Sequence, residues 1–571
     1  MAFGTVMSAT ISGINVEMIN VEADVSNGLP MFNMVGYLSS EVKEAGERVR
    51  TALKNSGFEY PVKKIIINLS PATIRKRGAI FDLPIAISIM VSAGQIHQEK
   101  LKNILVIGEL GLDGKLLRVN GLLAIVMEAK RLGITTFIVP KENQQEGDLV
   151  EGVEVHSFVW IREVYDFLSP PKLKKTQEDS FKDKNNQEEA GKETDETKKK
   201  TIGVVVEAER ESDSVRKEVG HSAVDFADIY GQKAVKRAIE IAVAGGHNVL
   251  LIGPPGSGKS LIAQAISSIL PPLKNDEMLE ITKIYSVMGL LKEGNPLITT
   301  PPFRPVHHTT TKASLVGGGK IPRIGEITLA HKGILYLDEL PEFSRTAIEV
   351  LRQPLEDKGI QITRTVGSYY FPADFILVCA MNPCPCGMYP DLEKCNCSPT
   401  QISNYLGKIS QPFLDRIDIC IEVPRLKYAD LQRGGRNKRE EIEDREDKGI
   451  EGEERKEGEE DPEKKEESSK TIRNRVKKAR EKQQKRNQKD SINANNANLT
   501  PREMGKHCML DEEGERLMEQ AYHKLNLTAR SYHKILKVSR TIADMDESEH
   551  IQPKHIREAI VYRTLDKKYW R

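Results

Sequence analysis

The 571-residue sequence predicts an α/β protein with two mixed α/β units and a helical C-terminal end. Three observations carry this. Leu250–Ser260 reads L-L-I-G-P-P-G-S-G-K-S, an apolar run and a glycine-rich turn, and Leu261–Leu270 follows with helical apolar spacing. Ile334–Glu339 is a second apolar run, ended by two acids. Residues 1–168 alternate strand-like and helix-like runs, whereas 499–568 carry only helical patterning.

Composition limits the function classes. Apolar residues make up 39% and charged residues 29%, and the formal net charge is +1. The balance steers the whole chain toward neither nucleic acid nor membrane, so any such surface is local. Met1–Gly13 lacks a basic start followed by an apolar core, and no apolar run reaches membrane-spanning length. Seven cysteines in so long a chain fit reduced thiols or a metal site better than disulfides. The expectation is a soluble, cytoplasmic protein.

In residues 1–168, Val16–Val25 and Lys64–Leu69 read as strands, and Glu41–Ser56 and Ile80–Ala93 as helices. Ile104–Leu110, a turn at Asp113-Gly114 and Lys115–Val119 suggest a hairpin. Leu122–Leu132 is helical and Thr136–Val139 a strand. Asp82 reads as a helix N-terminal or structural acid rather than a functional one. Residues 169–222 form a charged linker; Lys172–Lys200 has almost no large apolar residues and cannot offset chain entropy by burial.

A nucleotide-binding core is expected over 223–426. Gln232–Ala244 is a helix leading into the strand Val249–Ile252. Gly253, Pro254, Pro255, Gly256, Ser257, Gly258, Lys259 and Ser260 then fit G-x-x-x-x-G-K-[ST]. The glycines let backbone N–H groups close on phosphate oxygens, at the positive end of the helix Leu261–Leu270. Lys259 reaches the β- and γ-phosphates and the Ser260 hydroxyl ligates Mg²⁺. In the acid pair, Asp338 holds Mg²⁺ through its water shell and Glu339 orients and deprotonates the attacking water. Phe375–Ala380 is a third strand, and Asn382 stands just beyond it, where strand C-termini face a ligand crevice.

Cys384, Cys386, Cys395 and Cys397 make C-x-C-x8-C-x-C. Four thiols in a short loop suit a tetrahedral Zn²⁺, with unligated reduced thiols as the alternative. His307 and His308 are adjacent and read as hydrogen-bonding side chains rather than ligands. Gly434–Glu467 is a charged insert within 427–498, followed by a basic helix, Thr471–Arg486, with a solvated face or a DNA contact. In the helical end, 499–571, Thr500 caps a helix with Glu503 at its third position. Leu527–Arg530 opens a second helix, Ser531–Ile542, and Gln552–Leu565 supplies the last.

Two resemblances add to this reading. Gly108–Leu123, G-E-L-G-L-D-G-K-L-L-R-V-N-G-L-L, followed by Ile134–Asn143, resembles the Lon-protease-like (ribosomal S5 domain 2-like) domain at the front of magnesium-chelatase-like ATPases. Lon proteases cut with a Ser–Lys dyad. Here Leu123 stands where their lysine follows a Gly-Leu pair, and Arg77–Pro84 holds no serine. Leucine cannot act as a base, so the resemblance implies a non-proteolytic domain.

The core and end, 225–425 and 468–568, resemble the ComM/YifB group of magnesium-chelatase-like AAA+ proteins. G-G-H-N-V-L-L-I-G-P-P-G-S-G-K-S, F-R-P-V-H-H-T-T-T, G-G-G-K-I-P-R-I-G-E-I, L-Y-L-D-E-L-P-E-F and M-N-P-C-P-C-G carry the likeness. It implies a three-layer α/β P-loop core with a helical lid, ATP and Mg²⁺ as cofactors, and a homo-oligomeric, hexameric ring. It makes Asn382 a sensor-1 residue, Arg416 in L-D-R-I-D an arginine finger for the adjacent subunit, and Arg530 a sensor-2 arginine reaching the γ-phosphate from the lid. Arg540 competes with Arg530 but reads as a structural surface residue. Phe303–Ile327 and Gly359–Phe371 match inserts that point into the ring channel, where Lys320, Arg323 and Arg364 are candidates for DNA phosphate contacts. Members of the ComM type drive DNA branch migration. The alternatives are a metal-chelatase motor subunit acting on a tetrapyrrole and a protein remodeller without peptidase activity.

Overall fold

The structure is a computed structural model that describes residues 3–169, 224–292, 294–319, 323–364, 367–425, 466–487 and 495–570. Most of the expected linker, the insert over 427–465 and Lys320 lie outside the described residues.

The front unit is a seven-stranded mixed sheet in the order β3-β4-β2-β1-β5-β8-β9. Its strands are β1 (Phe3–Ser12), β2 (Asn15–Ser26), β3 (Met31–Val35), β4 (Lys64–Ser70), β5 (Ile104–Val106), β8 (Thr136–Pro140) and β9 (Glu154–Phe158). Between β5 and β8 a small hairpin pairs β6 (Glu109–Leu110) with β7 (Leu116–Leu117), turning through Gly114 at φ 88°. The expected single run Ile104–Leu110 is therefore divided: its start joins the main sheet and its end forms the hairpin. The helix Asp82–Ser92 is buried along its whole length, so its apolar residues face all ways rather than forming one stripe. Arg48 grips Asp82 with two hydrogen bonds, of 2.8 and 2.9 Å, so this acid is structural. Burial pushes its carboxyl up to about 6 against the pull of Arg48.

The second unit is a five-stranded sheet in the order β11-β14-β17-β10-β18, with every pairing parallel. The strands are β10 (Val249–Ile252), β11 (Phe303–Val306), β14 (Ile334–Leu337), β17 (Ile376–Met381) and β18 (Ile419–Glu422). β10, β14 and β17 are buried at every residue, which explains their uninterrupted apolar sequence. Two hairpins project from this unit. β12 (Gly317–Gly318) pairs with β13 (Arg323–Ile324), and β15 (Gly359–Arg364) with β16 (Gly367–Pro372). The Phe303–Ile327 insert begins later than expected, because Phe303–Val306 is an edge strand of the core sheet.

The helical end follows its expected caps. The Thr500 hydroxyl accepts from the Glu503 N–H, and Glu503 accepts the Thr500 N–H at 2.7 Å. Thr528 caps the helix Ala529–Met545, and Pro553–Tyr569 closes the chain. The basic helix Ser469–Asn487 does not present a simple solvated face. Ile472, Val476 and Ala479 are buried, Arg473 donates to the Ser268 carbonyl, and Arg480 donates to the Val243 carbonyl. Arg486 pairs with buried Asp544 at 2.7 Å. Arg473 and Arg480 thus satisfy carbonyls at the ends of core helices, groups that otherwise lack partners.

The front unit docks on the second through the helix Asn275–Val287. The Gly121 N–H donates to the Ser286 carbonyl at 3.0 Å, and Leu279 packs into the front unit's apolar core. Buried Glu146 accepts the Leu123 N–H at 2.9 Å and also the Ser286 hydroxyl. Gly13 meets the base of the β15–β16 hairpin, where a Cβ would sit 3.0 Å from Tyr369.

Candidate nucleotide and metal sites

In a parallel sheet, ligands gather at strand C-termini. Three neighbouring strands here deliver their next residues to one edge: β10 the phosphate loop, β14 Asp338 and Glu339, β17 Asn382. Gly253 must be glycine, because a Cβ would lie 2.3 Å from the Val423 carbonyl oxygen. Lys259 turns back over the loop. Its Nζ donates to the Gly253 and Pro254 carbonyls at 2.8 and 2.9 Å and to Asn382 Oδ1 at 3.2 Å. Burial lowers the Lys259 pKa, with Asp338 and Glu339 pulling the other way. Ser260 donates to Asp338 at 2.8 Å, which brings the two expected Mg²⁺ ligands together. Hydroxyl and carboxylate oxygens suit Mg²⁺, which would neutralise phosphate charge there. Glu339 stands half-exposed with φ 50°, a left-handed conformation that a non-glycine residue holds only when its surroundings compel it.

Three further residues belong to this edge; the sequence marks His308 only as a hydrogen-bonding side chain and gives Gln232 and Tyr336 no role in the site. His308 Nδ1 is 3.3 Å from Glu339, placed there by the edge strand β11. Gln232 donates to the Ser257 carbonyl at 3.1 Å and braces the loop from the preceding helix. The Tyr336 hydroxyl donates to Ser260 Oγ at 3.3 Å. Gln232 and His308 come from segments distant in sequence. Tyr336 sits inside the acid strand and was legible only as an apolar position.

The arginines lie elsewhere. Arg416 precedes β18, and its carbonyl accepts from Asn248, the residue just before β10. It therefore stands at the opposite sheet edge, about 13 Å of strand away from the phosphate loop. Its side chain is nearly buried and pairs with Glu356 at 2.6 Å. Arg530 is exposed and lies 3.8 Å from the same Glu356. Neither is brought to the phosphate loop of its own chain. Arg540, read as a surface residue, is buried instead; it donates to the Ser548 and Glu549 carbonyls at 2.8 Å. A cleft of about 720 Å³ opens on the Arg416 face, lined by Lys312, Gly318, Glu356, Arg364 and Arg416 among others. Arg323 and Arg364 are both exposed.

Cys384, Cys386, Cys395 and Cys397 converge, with all four sulfurs within 4.8 Å of one another. Three separations are 3.4, 3.8 and 3.6 Å, far too long for disulfides. A Met388 N–H donated to Cys386 leads the effects that bring its thiol down to about 6. This set can hold a metal ion. His307 is not part of a cluster among the described residues; its Nδ1 meets Thr309 Oγ1 at 2.9 Å.

Strand order and loop positions together define an AAA+ type of nucleotide-binding core. Comparisons with known proteins carry this further. Residues 225–431 match the family described as magnesium chelatase, subunit ChlI, residues 466–563 its C-terminal part, and residues 21–143 the family described as subunit ChlI of Mg-chelatase. Competence protein ComM of Haemophilus influenzae is 37% identical over 566 residues, covering 99% of this chain and 98% of its own length. YifB of Escherichia coli is 38% identical over 567 residues, with the same coverage. The 67 kDa magnesium-chelatase subunit of Chlorobaculum parvum is 27% identical over 168 residues, 28% of this chain and 23% of its own. The chain belongs to the ComM/YifB group of magnesium-chelatase-like AAA+ proteins. Among the described residues, no helix is long and apolar enough to cross a membrane.

Proposed function

We propose that the chain is a cytoplasmic ATPase that assembles into a hexameric ring and uses ATP hydrolysis to translocate or remodel DNA. In this reading Glu339 orients and deprotonates the attacking water, and Asn382 contacts that water or the γ-phosphate. Arg416 and Arg530 serve the pocket of an adjacent subunit, stabilising transition-state charge. Their distance from the phosphate loop of their own chain supports that assignment. Mg²⁺ bound by Ser260 and Asp338 would supply charge neutralisation. The cysteine cluster is a structural Zn²⁺ site in this reading, since Zn²⁺ takes four thiolates tetrahedrally.

The observation that carries the DNA reading is the end-to-end match to a competence protein, which spans the front unit, the core and the lid. Exposed Arg323 and Arg364 on the two hairpins add a means of gripping phosphates without reading sequence. The match to chelatase subunits favours a second reading, a motor for metal insertion into a tetrapyrrole. ATP turnover measured with single-stranded, duplex and branched DNA, and with a porphyrin plus Mg²⁺, separates the two. Stimulation by DNA supports the first reading. Indifference to DNA with a response to porphyrin overturns it.

A further inference from the structure

The cysteine loop is not an isolated appendage. It leaves β17 through Asn382, and Cys384 follows only two residues later, fully buried. Gly387 then presses on the phosphate loop: a Cβ there would lie 2.3 Å from Pro255 Cδ, and its φ is 79°. The Tyr389 N–H points at Cys384 Sγ at 3.4 Å, and the Tyr389 ring lies edge-on to Tyr569 of the last helix, 6.0 Å away. Beyond it, Pro390–Lys394 are all exposed. Such a stretch has little apolar burial with which to hold its own shape. Four sulfurs about 2.3 Å from one ion form a tetrahedron with edges of about 3.8 Å. The separations among Cys384, Cys386 and Cys395, 3.4–3.8 Å, are close to that edge, and Cys397 lies within 4.8 Å of the other three. An ion can thus tie the two ends of the loop together, and the loop presses on Pro255 while extending directly from Asn382.

We propose that Zn²⁺ held by Cys384, Cys386, Cys395 and Cys397 positions the phosphate loop and Asn382, so that nucleotide binding and turnover depend on the metal. This rests on the zinc reading given above. The cysteines are positioning residues: they act through Pro255, Gly387 and Asn382.

The experiment uses the full chain purified without a tag under reducing conditions. Metal content is measured first. Affinity for a fluorescent ATP analogue and turnover at saturating ATP are then measured before chelation, after chelation, and after Zn²⁺ is returned. The expected result is about one Zn²⁺ per chain, a roughly tenfold loss of affinity or turnover on chelation, and recovery with Zn²⁺. Co²⁺ in place of Zn²⁺ should give thiolate charge-transfer absorption that the Cys395→Ser/Cys397→Ser variant lacks. That variant should match the chelated protein in affinity while keeping its far-ultraviolet circular dichroism; if it misfolds, the chelation series on the unaltered chain decides alone. One Zn²⁺ per chain whose removal leaves affinity and turnover within twofold overturns the coupling but not the zinc site. Less than about 0.2 Zn²⁺ per chain overturns both.

Discussion

His308 Nδ1 lies 3.3 Å from the carboxylate of Glu339. The pair exists because β11 and β14 run parallel with Val306 opposite Leu337, so residues following both strands emerge at one edge. In the proposed mechanism Glu339 must hold a water, and His308 is the group positioned to orient it. Glu339→Gln should retain ATP binding while turnover falls by about 10²–10⁴, the range for loss of a general base. His308→Ala should lower kcat by about tenfold or more, the scale of one hydrogen bond to a charged group. ATP affinity should stay within about twofold. Single-turnover hydrolysis together with equilibrium binding checks both.

The opposite placement of Arg416 and the phosphate loop makes a prediction about mixtures. Arg416→Ala should reduce turnover by about 10³. Lys259→Ala should be inactive by itself. Mixed and reassembled, the two variants should recover measurable activity, because some junctions then pair an intact loop with an intact arginine. No recovery on mixing, in assemblies confirmed to contain both chains, would place the arginine's action within one chain.

Arg323 and Arg364 should contribute to DNA affinity through charge alone. Each replacement by alanine should weaken binding similarly for every sequence and reduce the salt slope of log Kd by about one phosphate's worth. Titrations at several salt concentrations measure this. An unchanged slope would remove that arginine from the DNA path.

Asp418 ties the lid to the sheet. It accepts the Asn248 N–H at 2.9 Å and meets Lys534 of the lid at 2.9 Å and His247 at 3.7 Å. Burial opposes its ionisation, but Lys534 and His247 outweigh burial and hold its carboxyl well below the usual range. Its folded pKa is below its unfolded value of about 3.9. Its stabilisation is therefore present above that pH and is lost as pH falls through it toward the folded value. Melting temperature should drop on acidification below about pH 4. Asp418→Asn should cost about 3–5 kcal/mol at neutral pH, the cost of breaking a buried pair, and should flatten the acid limb.

Glu146 is the polar centre of the contact between the front unit and the core. Glu146→Ala strands the buried Leu123 N–H and removes the partner of the Ser286 hydroxyl. The expected cost is about 1–3 kcal/mol, and the effect should be local. Hydrogen exchange should rise first in the helix Asn275–Val287 and at the start of the helix Leu122–Arg131. Uniformly unchanged exchange would show that this carboxylate does not hold the interface.

The sequence by itself determined the parts of the chemistry that are contiguous. A phosphate loop, an acid pair at a strand end and a four-cysteine loop are each defined by neighbours in the chain, so local spacing is enough to read them. The same holds for the Thr500–Glu503 cap, whose two hydrogen bonds close within one helical turn. Tertiary structure alone decided which strands lie side by side. Sheet order is set by packing between residues far apart in sequence, so nothing local announced that Phe303–Val306 is an edge strand or that it brings His308 to Glu339. For the same reason Arg473, Arg480 and Arg486 looked solvated in a basic run, although the folded chain supplies them with buried carbonyls and a carboxylate. The separation of Arg416 from its own phosphate loop follows from parallel strand direction, which places the residue before β18 and the loop after β10 at opposite ends of the sheet.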